Sequence, residues 1–116
     1  MFIIAGEVIH RVSGLSWAEF IEQRIMKPVG MTSSFGSYNR AKAVANKIDA
    51  HAPVDGKAVA VPHDWNETAN AAGGIMSNIK DMTLWAECLL NNFTTKDGKK
   101  LVSDKNVQQL WSLQIP

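Results

Sequence analysis

Ser77-Asn78-Ile79-Lys80 sets a serine one helical turn before a lysine, the S-x-x-K spacing. At a helix start this spacing lets the positive end of the helix favour a developing negative charge while a desolvated lysine takes the serine proton. Lys96-Asp97-Gly98 meets the looser K-x-G pattern, a relative of the K-T-G strand motif. Both have plainer readings. Ser77 more simply caps a helix with Lys80 in solvent, and Asp97-Gly98 is a turn pair, whereas K-T-G has to lie within a strand. His10, His51 and His63 form no i, i+4 pair and stand near no second ligand at metal spacing, so the sequence asks for no metal or other cofactor. His63-Asp64 fits either an oriented proton-transfer pair or an ordinary polar loop. Cys88, beside Leu89-Leu90, reads as a buried, inert thiol. Glu7, Glu19, Glu22 and Glu67 show no pairing suited to two-carboxylate hydrolysis.

The elements that must position these groups are mostly helices. Ile4, Ala5, Val8, Ile9 and Val12 recur at helical spacing, which predicts a helix over 2–12 with Gly14 as a left-handed cap. Its start lacks a capping residue, as expected of a chain cut from something longer. Ser16-Trp17-Ala18-Glu19 is a capping box, flanked by Leu15 and Phe20 as a hydrophobic staple. Trp17, Phe20, Ile21 and Ile25 line one face of the helix that follows, and Pro28 is expected to stop it at Lys27, with Gly30 completing the exit. Residues 31–46 are irregular. Asp55-Gly56 predicts a hairpin turn within 50–61, with Pro53 marking an edge strand. Residues 62–74 read as a long loop ending in Ala71-Ala72-Gly73-Gly74. A third helix is expected over 79–90, capped by Ser77 or Asn78, and a last one after Ser103 through Val107, Leu110 and Trp111. The expected core gathers Trp17, Phe20, Ile25, Trp85, Leu89 and Trp111.

At 116 residues, 46% hydrophobic and 20% charged, the composition is that of one globular domain and not of a disordered chain. Twelve basic against eleven acidic residues leave no electrostatic footprint for nucleic acid. One cysteine excludes an internal disulfide framework. The N-terminal apolar run, Met1 to Ala5, is far short of a signal-peptide core or a membrane span, so neither is expected.

Three blocks together carry a resemblance. Phe2-Ile3-Ile4-Ala5-Gly6-Glu7-Val8-Ile9-His10-Arg11-Val12-Ser13-Gly14 is similar to G-x-I-I-x-x-V-[ST]-G. Ile25-Met26-Lys27-Pro28-Val29-Gly30-Met31-Thr32 is similar to I-x-x-P-L-G-M-x-x-T. Ala72-Gly73-Gly74-Ile75-Met76-Ser77-Asn78-Ile79-Lys80-Asp81-Met82 is similar to a-G-G-[LI]-x-S-[TS]-x-x-D-[ML]. In this order and spacing they resemble the serine β-lactamase and penicillin-binding-protein-like family, in the branch of class C β-lactamases, related esterases and D-aminopeptidases. Val29 and Asn78 are mild departures.

The resemblance implies a mainly α chain, the helical region of the β-lactamase/transpeptidase-like α/β fold, with about four helices and one or two small hairpins. It implies a single excised segment, 1–116, whose partner is the missing α/β domain. The family's nucleophile and Y-x-N motif would lie before the first block and its K-T-G or H-x-G strand after the last. Ser77 then falls on the serine of the G-G-x-x-S-x-x-D block and Lys80 on a variable position, so no catalytic residue is expected. Ala72, Gly73 and Gly74 would edge the substrate cleft, or else simply permit a tight turn. The leading expectation is a non-catalytic fragment of a serine acyl hydrolase, from a parent of the bacterial periplasm or cell envelope. A stand-alone helical module, self-associating as a homodimer through exposed apolar surface, is the alternative. A minimal hydrolase built on Ser77 and Lys80 comes last.

Overall fold

The computed structural model describes residues 1–63 and 66–113. Its elements are helix α1 (Phe2–Ser13), α2 (Trp17–Ile21), a π-helical segment (Glu22–Met26), α3 (Lys27–Val29), α4 (Tyr38–Ala41), strands β1 (His51–Val54) and β2 (Lys57–Ala60), a 3₁₀ turn (Glu67–Ala69), α5 (Asn70–Gly73), α6 (Ile79–Leu90) and α7 (Asp104–Trp111). Among the described residues the only sheet is the β1–β2 pair, so the chain is mainly α. No helix in them is long and apolar enough to cross a membrane.

Local chemistry explains most boundaries. Gly14 ends α1 at φ 72°, where a side chain would be strained, and its N–H reaches the His10 carbonyl. Ser16 caps α2: its Oγ accepts the Glu19 N–H at 3.3 Å, while Glu19 Oε2 accepts the Ser16 N–H at 3.0 Å. The Ser16 hydroxyl, which donates to Glu19 Oε2 at 2.6 Å, and then the Ser16 N–H hold the Glu19 carboxyl below the usual range. Asp55 and Gly56 both take positive φ, 49° and 75°, closing β1 onto β2 with Ala52 opposite Val59 and Pro53 opposite Ala58. Asn78 and Ser103 cap α6 and α7 by accepting the Asp81 and Asn106 amides.

Pro28 does not stop its helix. The chain stays helical to Val29 and is terminated by Gly30 at φ 87°. The preceding turn widens, with the Lys27 N–H bonding the Glu22 carbonyl five residues back. Such a turn accommodates a proline ring that would otherwise press on the carbonyl four residues before it. Within the stretch expected to be a loop, residues 66–73 are likewise more ordered: Asn66 caps the Glu67–Ala69 turn through the Thr68 amide, and α5 follows directly. Ser37 similarly starts the short α4 inside the stretch expected to be irregular.

The core lies where the π-helical segment and α3 meet α6. Ile21, Met26, Val29, Met31 and Cys88 are buried there, with Trp17, Phe20, Ile25, Leu84, Trp85 and Leu101 packed around them. Leu89 and Trp111, expected in the core, lie outside this cluster. Trp111 is 66% exposed, its ring 6.5 Å from Phe93. Two close approaches fix the remaining helices. A Cβ on Gly6 would come within 2.5 Å of the Ala71 Cβ, and one on Gly36 within 2.5 Å of the Ala18 Cα. α1 thus docks on α5 through its glycine, and its apolar stripe of Phe2, Ile4, Val8 and Val12 stays exposed.

Candidate functional site

The sequence-level candidates Ser77 and Lys80 do not meet as nucleophile and base. Asn78 is the cap of α6, so Ser77 precedes the helix and Lys80 sits exposed in its first turn. The Ser77 hydroxyl instead lies 2.8 Å from Ser34 Oγ. Ser34 in turn donates to Asp81 Oδ2 at 2.7 Å, and the Ser33 N–H donates to the same oxygen at 2.8 Å. A carboxylate can only accept, so the Ser34 proton is committed to Asp81 and Ser77 is the donor to Ser34. The chain of bonds runs Ser77 to Ser34 to Asp81, ending on a carboxylate that is 2% exposed.

Backbone pairing brings these groups together. Phe35 and Met76 exchange both N–H···O bonds, at 2.9 and 3.0 Å, which lays the 33–36 segment against the entry to α6. Asn78 reinforces it, accepting the Asp81 N–H at 3.0 Å and donating to the Ser33 carbonyl at 3.3 Å. The carboxylate sits at the positive end of α6, where negative charge is favoured. In the sequence Asp81 stands only as the aspartate of the third block, and Ser33 and Ser34 carry no signal of their own. Three small polar residues after Met31 were the only local trace of this joint, and nothing local pairs them with a residue 47 positions away.

Beside it opens a recess of about 460 Å³, lined by Phe35, Val44, Ile48 and Met76 and also by Lys47 and Ser77. Lys47 is engaged by Asp49 at 3.3 Å and lies 5.8 Å from the Tyr38 ring centre. His63 stacks on Tyr38, centroids 3.7 Å apart, so its ring serves as packing there. Asp64, the other half of that proton-transfer candidate, lies outside the described residues. A second joint pins the same loop to the π-helical segment. Glu22 accepts Arg40 Nε at 2.7 Å, Arg40 Nη2 at 2.5 Å and the Gly36 N–H at 2.9 Å. Burial pushes the Glu22 carboxyl up, but the Arg40 and Gly36 hydrogen bonds and the Arg40 charge outweigh it and leave it below the usual value.

The cleft-edge candidates divide. Gly74 is buried, and a Cβ there would lie 2.3 Å from Asn70 Oδ1 and 2.7 Å from the Asn70 Cα, so it permits a close backbone approach at the end of α5. Ala72 and Gly73 are exposed and belong to α5, not to a loop. With Trp17 and Ile75 they rim a recess of about 150 Å³.

Lys96 forms an exposed ion pair with Glu87 at 3.0 Å. Its Asp97-Gly98 neighbours make a tight turn closed by the Thr95 N–H to the Lys99 carbonyl, with Gly98 at φ 82°. The isolated Thr94–Lys100 pairing around it is too short to be the strand a K-T-G motif needs. His10 and His51 each hydrogen-bond a nearby backbone carbonyl, of Leu15 and Asp49. No group of three His, Cys, Asp or Glu among the described residues is placed to hold a metal ion. Cys88 is buried, which pushes its thiol up and away from the reactive thiolate.

The curated unguisins hydrolase ungD' of Aspergillus campestris is 28% identical over 116 residues, covering 97% of this chain and 21% of that protein. The octameric penicillin-binding protein homologue from Pyrococcus abyssi superposes with a TM-score of 0.76 at 20% identity, covering 96% of this chain and 24% of that one, and shows the fold. The chain therefore spans about a fifth of the curated relative and about a quarter of the solved structure. The sequence model described as Beta-lactamase matches residues 1–115, and the chain belongs to that family.

Proposed function

We propose that these 116 residues form a helical, non-catalytic part of a β-lactamase-type serine acyl hydrolase. The intact enzyme would attack a β-lactam, peptide or ester carbonyl with a serine from outside this segment and pass through an acyl-enzyme. The observation that carries the reading is the state of Ser77. Its hydroxyl is bonded to Ser34 above the buried Asp81 carboxylate, and the Lys80 amine, exposed in the next turn, is not its partner. Without an activating base or oxyanion donors, a serine has little to lower its barrier.

In this reading Ala72, Gly73 and Gly74 edge the substrate cleft and contribute shape. Exposure of Ala72 and Gly73 beside a small recess supports that place, and their small side chains leave room for an acyl substituent. The bare stripe of α1, with Phe2 71% and Val12 84% exposed, is the surface that the α/β portion of such an enzyme would cover. The reading is tested by intact-mass analysis after incubation with a reactive penicillin, for the chain as it stands and for Ser77→Ala. Unmodified masses in both are expected. A stoichiometric adduct on the first that is absent from Ser77→Ala would overturn the proposal and make Ser77 a nucleophile.

A further inference from the structure

The hairpin is nearly naked. Of the eight residues in β1 and β2 only Ala52 is half-buried, and among the described residues no third strand lies on either edge. A lone two-stranded hairpin is marginal in water, and unpaired edges are templates for further pairing.

The register shows which edge is open. The Val61 N–H bonds the Ala50 carbonyl at 2.8 Å, so Ala50 and Val61 are a hydrogen-bonded pair. Antiparallel pairs alternate, which makes Ala52–Val59 and Val54–Lys57 bonded pairs as well. The intervening pairs, His51–Ala60 and Pro53–Ala58, aim their backbone groups outward. On β1 that outer edge is blunted, because Pro53 has no N–H to give. On β2 it is complete: Ala58 and Ala60 each offer one donor and one acceptor, behind nothing larger than a methyl group.

We propose that the outer edge of β2 pairs antiparallel with the same edge of a second copy of this chain. A two-fold axis at Val59 sets Ala58 opposite the partner's Ala60 in bonded pairs, for four N–H···O bonds across the junction. The two Val59 side chains meet at the axis. They lie on the face that carries Ala52 and Val54, so an apolar strip runs unbroken across the resulting four-stranded sheet. Lys57 falls opposite the partner's Val61, and no like charges confront each other directly. This surface is separate from the α1 stripe and does not depend on the hydrolase reading.

The test is sedimentation over a concentration series together with residue-resolved amide exchange on the same samples. Exchange at Ala58 and Ala60 is expected to slow at least tenfold as the dimer forms, while the Val59 amide, bonded within the hairpin, is protected throughout. Ala58→Pro removes an outward N–H the hairpin does not use, and Val59→Lys sets two cations at the axis. Each is expected to weaken dimerisation at least tenfold, with Ala60 exchange returning to the monomer rate and, in Ala58→Pro, Val59 protection retained. Val8→Glu, on α1, is expected to leave the dimer within twofold. A chain that stays monomeric at millimolar concentration overturns the proposal. So does a dimer whose Ala58 and Ala60 amides exchange freely, or one that Val8→Glu dissolves and Val59→Lys does not.

Discussion

Replacing Asp81 by Asn tests whether the joint between the 33–36 segment and α6 is a main support of this fold. The carboxylate accepts the Ser33 amide and the Ser34 hydroxyl, at 2.8 and 2.7 Å, in a site 2% exposed. Hydrogen bonds to a charged group contribute about 1.5–3 kcal/mol each, and unmade buried partners cost about as much. Both bonds end on the same oxygen, so the Asn amide oxygen can keep them, but as neutral bonds of about 0.5–1.5 kcal/mol each, and the charge favoured at the start of α6 is lost at about 0.3–1 kcal/mol. The expected destabilisation is therefore about 2–4 kcal/mol. In urea followed by tryptophan fluorescence, that lowers the midpoint by about 2 M at unchanged slope.

Two companions make the test sharper. Ser34→Ala leaves Asp81 with the Ser33 amide alone and is expected to cost about 1–3 kcal/mol. Ser77→Ala removes the outermost hydroxyl, which water can replace because Ser77 is exposed, and is expected to cost less than about 1 kcal/mol. The order Asp81→Asn, then Ser34→Ala, then Ser77→Ala follows from depth along one chain of bonds. An Asp81→Asn variant within about 0.5 kcal/mol of the parent, or a Ser77→Ala variant as damaged as Asp81→Asn, would refute the reasoning.

Acid should release the second joint. The Glu22 carboxyl is held below its usual value in the folded chain, so its contribution is complete above the unfolded pKa of about 4.3 and is lost as the pH falls through the folded value. Glu22→Gln is expected to be less stable at neutral pH by about 1–2 kcal/mol and to lose that part of the acid sensitivity, read as melting temperature from pH 7 to 3. Gly36→Ala would drive a methyl group into the Ala18 backbone and is expected to cost at least about 1–3 kcal/mol, measured by the same urea titration. Gly30→Ala has open space but φ 87°, so its cost is expected to be only about 1–2 kcal/mol, from backbone strain alone; a larger loss than at Gly36 would reverse the assignment of sterics and strain.

What the sequence made legible was whatever a few neighbouring residues decide between themselves. The Ser16–Glu19 box, the Asp55-Gly56 turn and the 79–90 helix are closed within one turn or one hairpin, and each stands as expected. Pro28 shows the limit of local rules. A proline disfavours the helix around it, yet the widened turn from Glu22 to Lys27 absorbs it, because Met26, Val29 and Met31 are all drawn into one core. Residues 67–73 were misjudged for a related reason. Gly73 and Gly74 point to a loop, but Gly74 serves close packing on Asn70, and Asn66 supplies a cap that a propensity scan gives little weight. Trp111 failed in the opposite sense: its spacing marks an apolar face on α7, and little of this chain lies against that face.

The site was the least legible part, for a physical reason that Ser77 makes concrete. The S-x-x-K spacing is a statement about a helix, and it holds only if the serine lies inside the first turn. Here the cap falls on Asn78, one residue later, so Ser77 leaves the helix and its hydroxyl turns toward Ser34. The choice of cap depends on which side chain can reach back to the Asp81 amide while Asp81 itself is drawn toward Ser33 and Ser34. That competition involves residues 43 to 48 positions apart. A serine that reads as a nucleophile along the chain therefore becomes, in the fold, the outer end of a tether. The same tether that removes it from chemistry holds α6 and the Phe35–Met76 pairing in register.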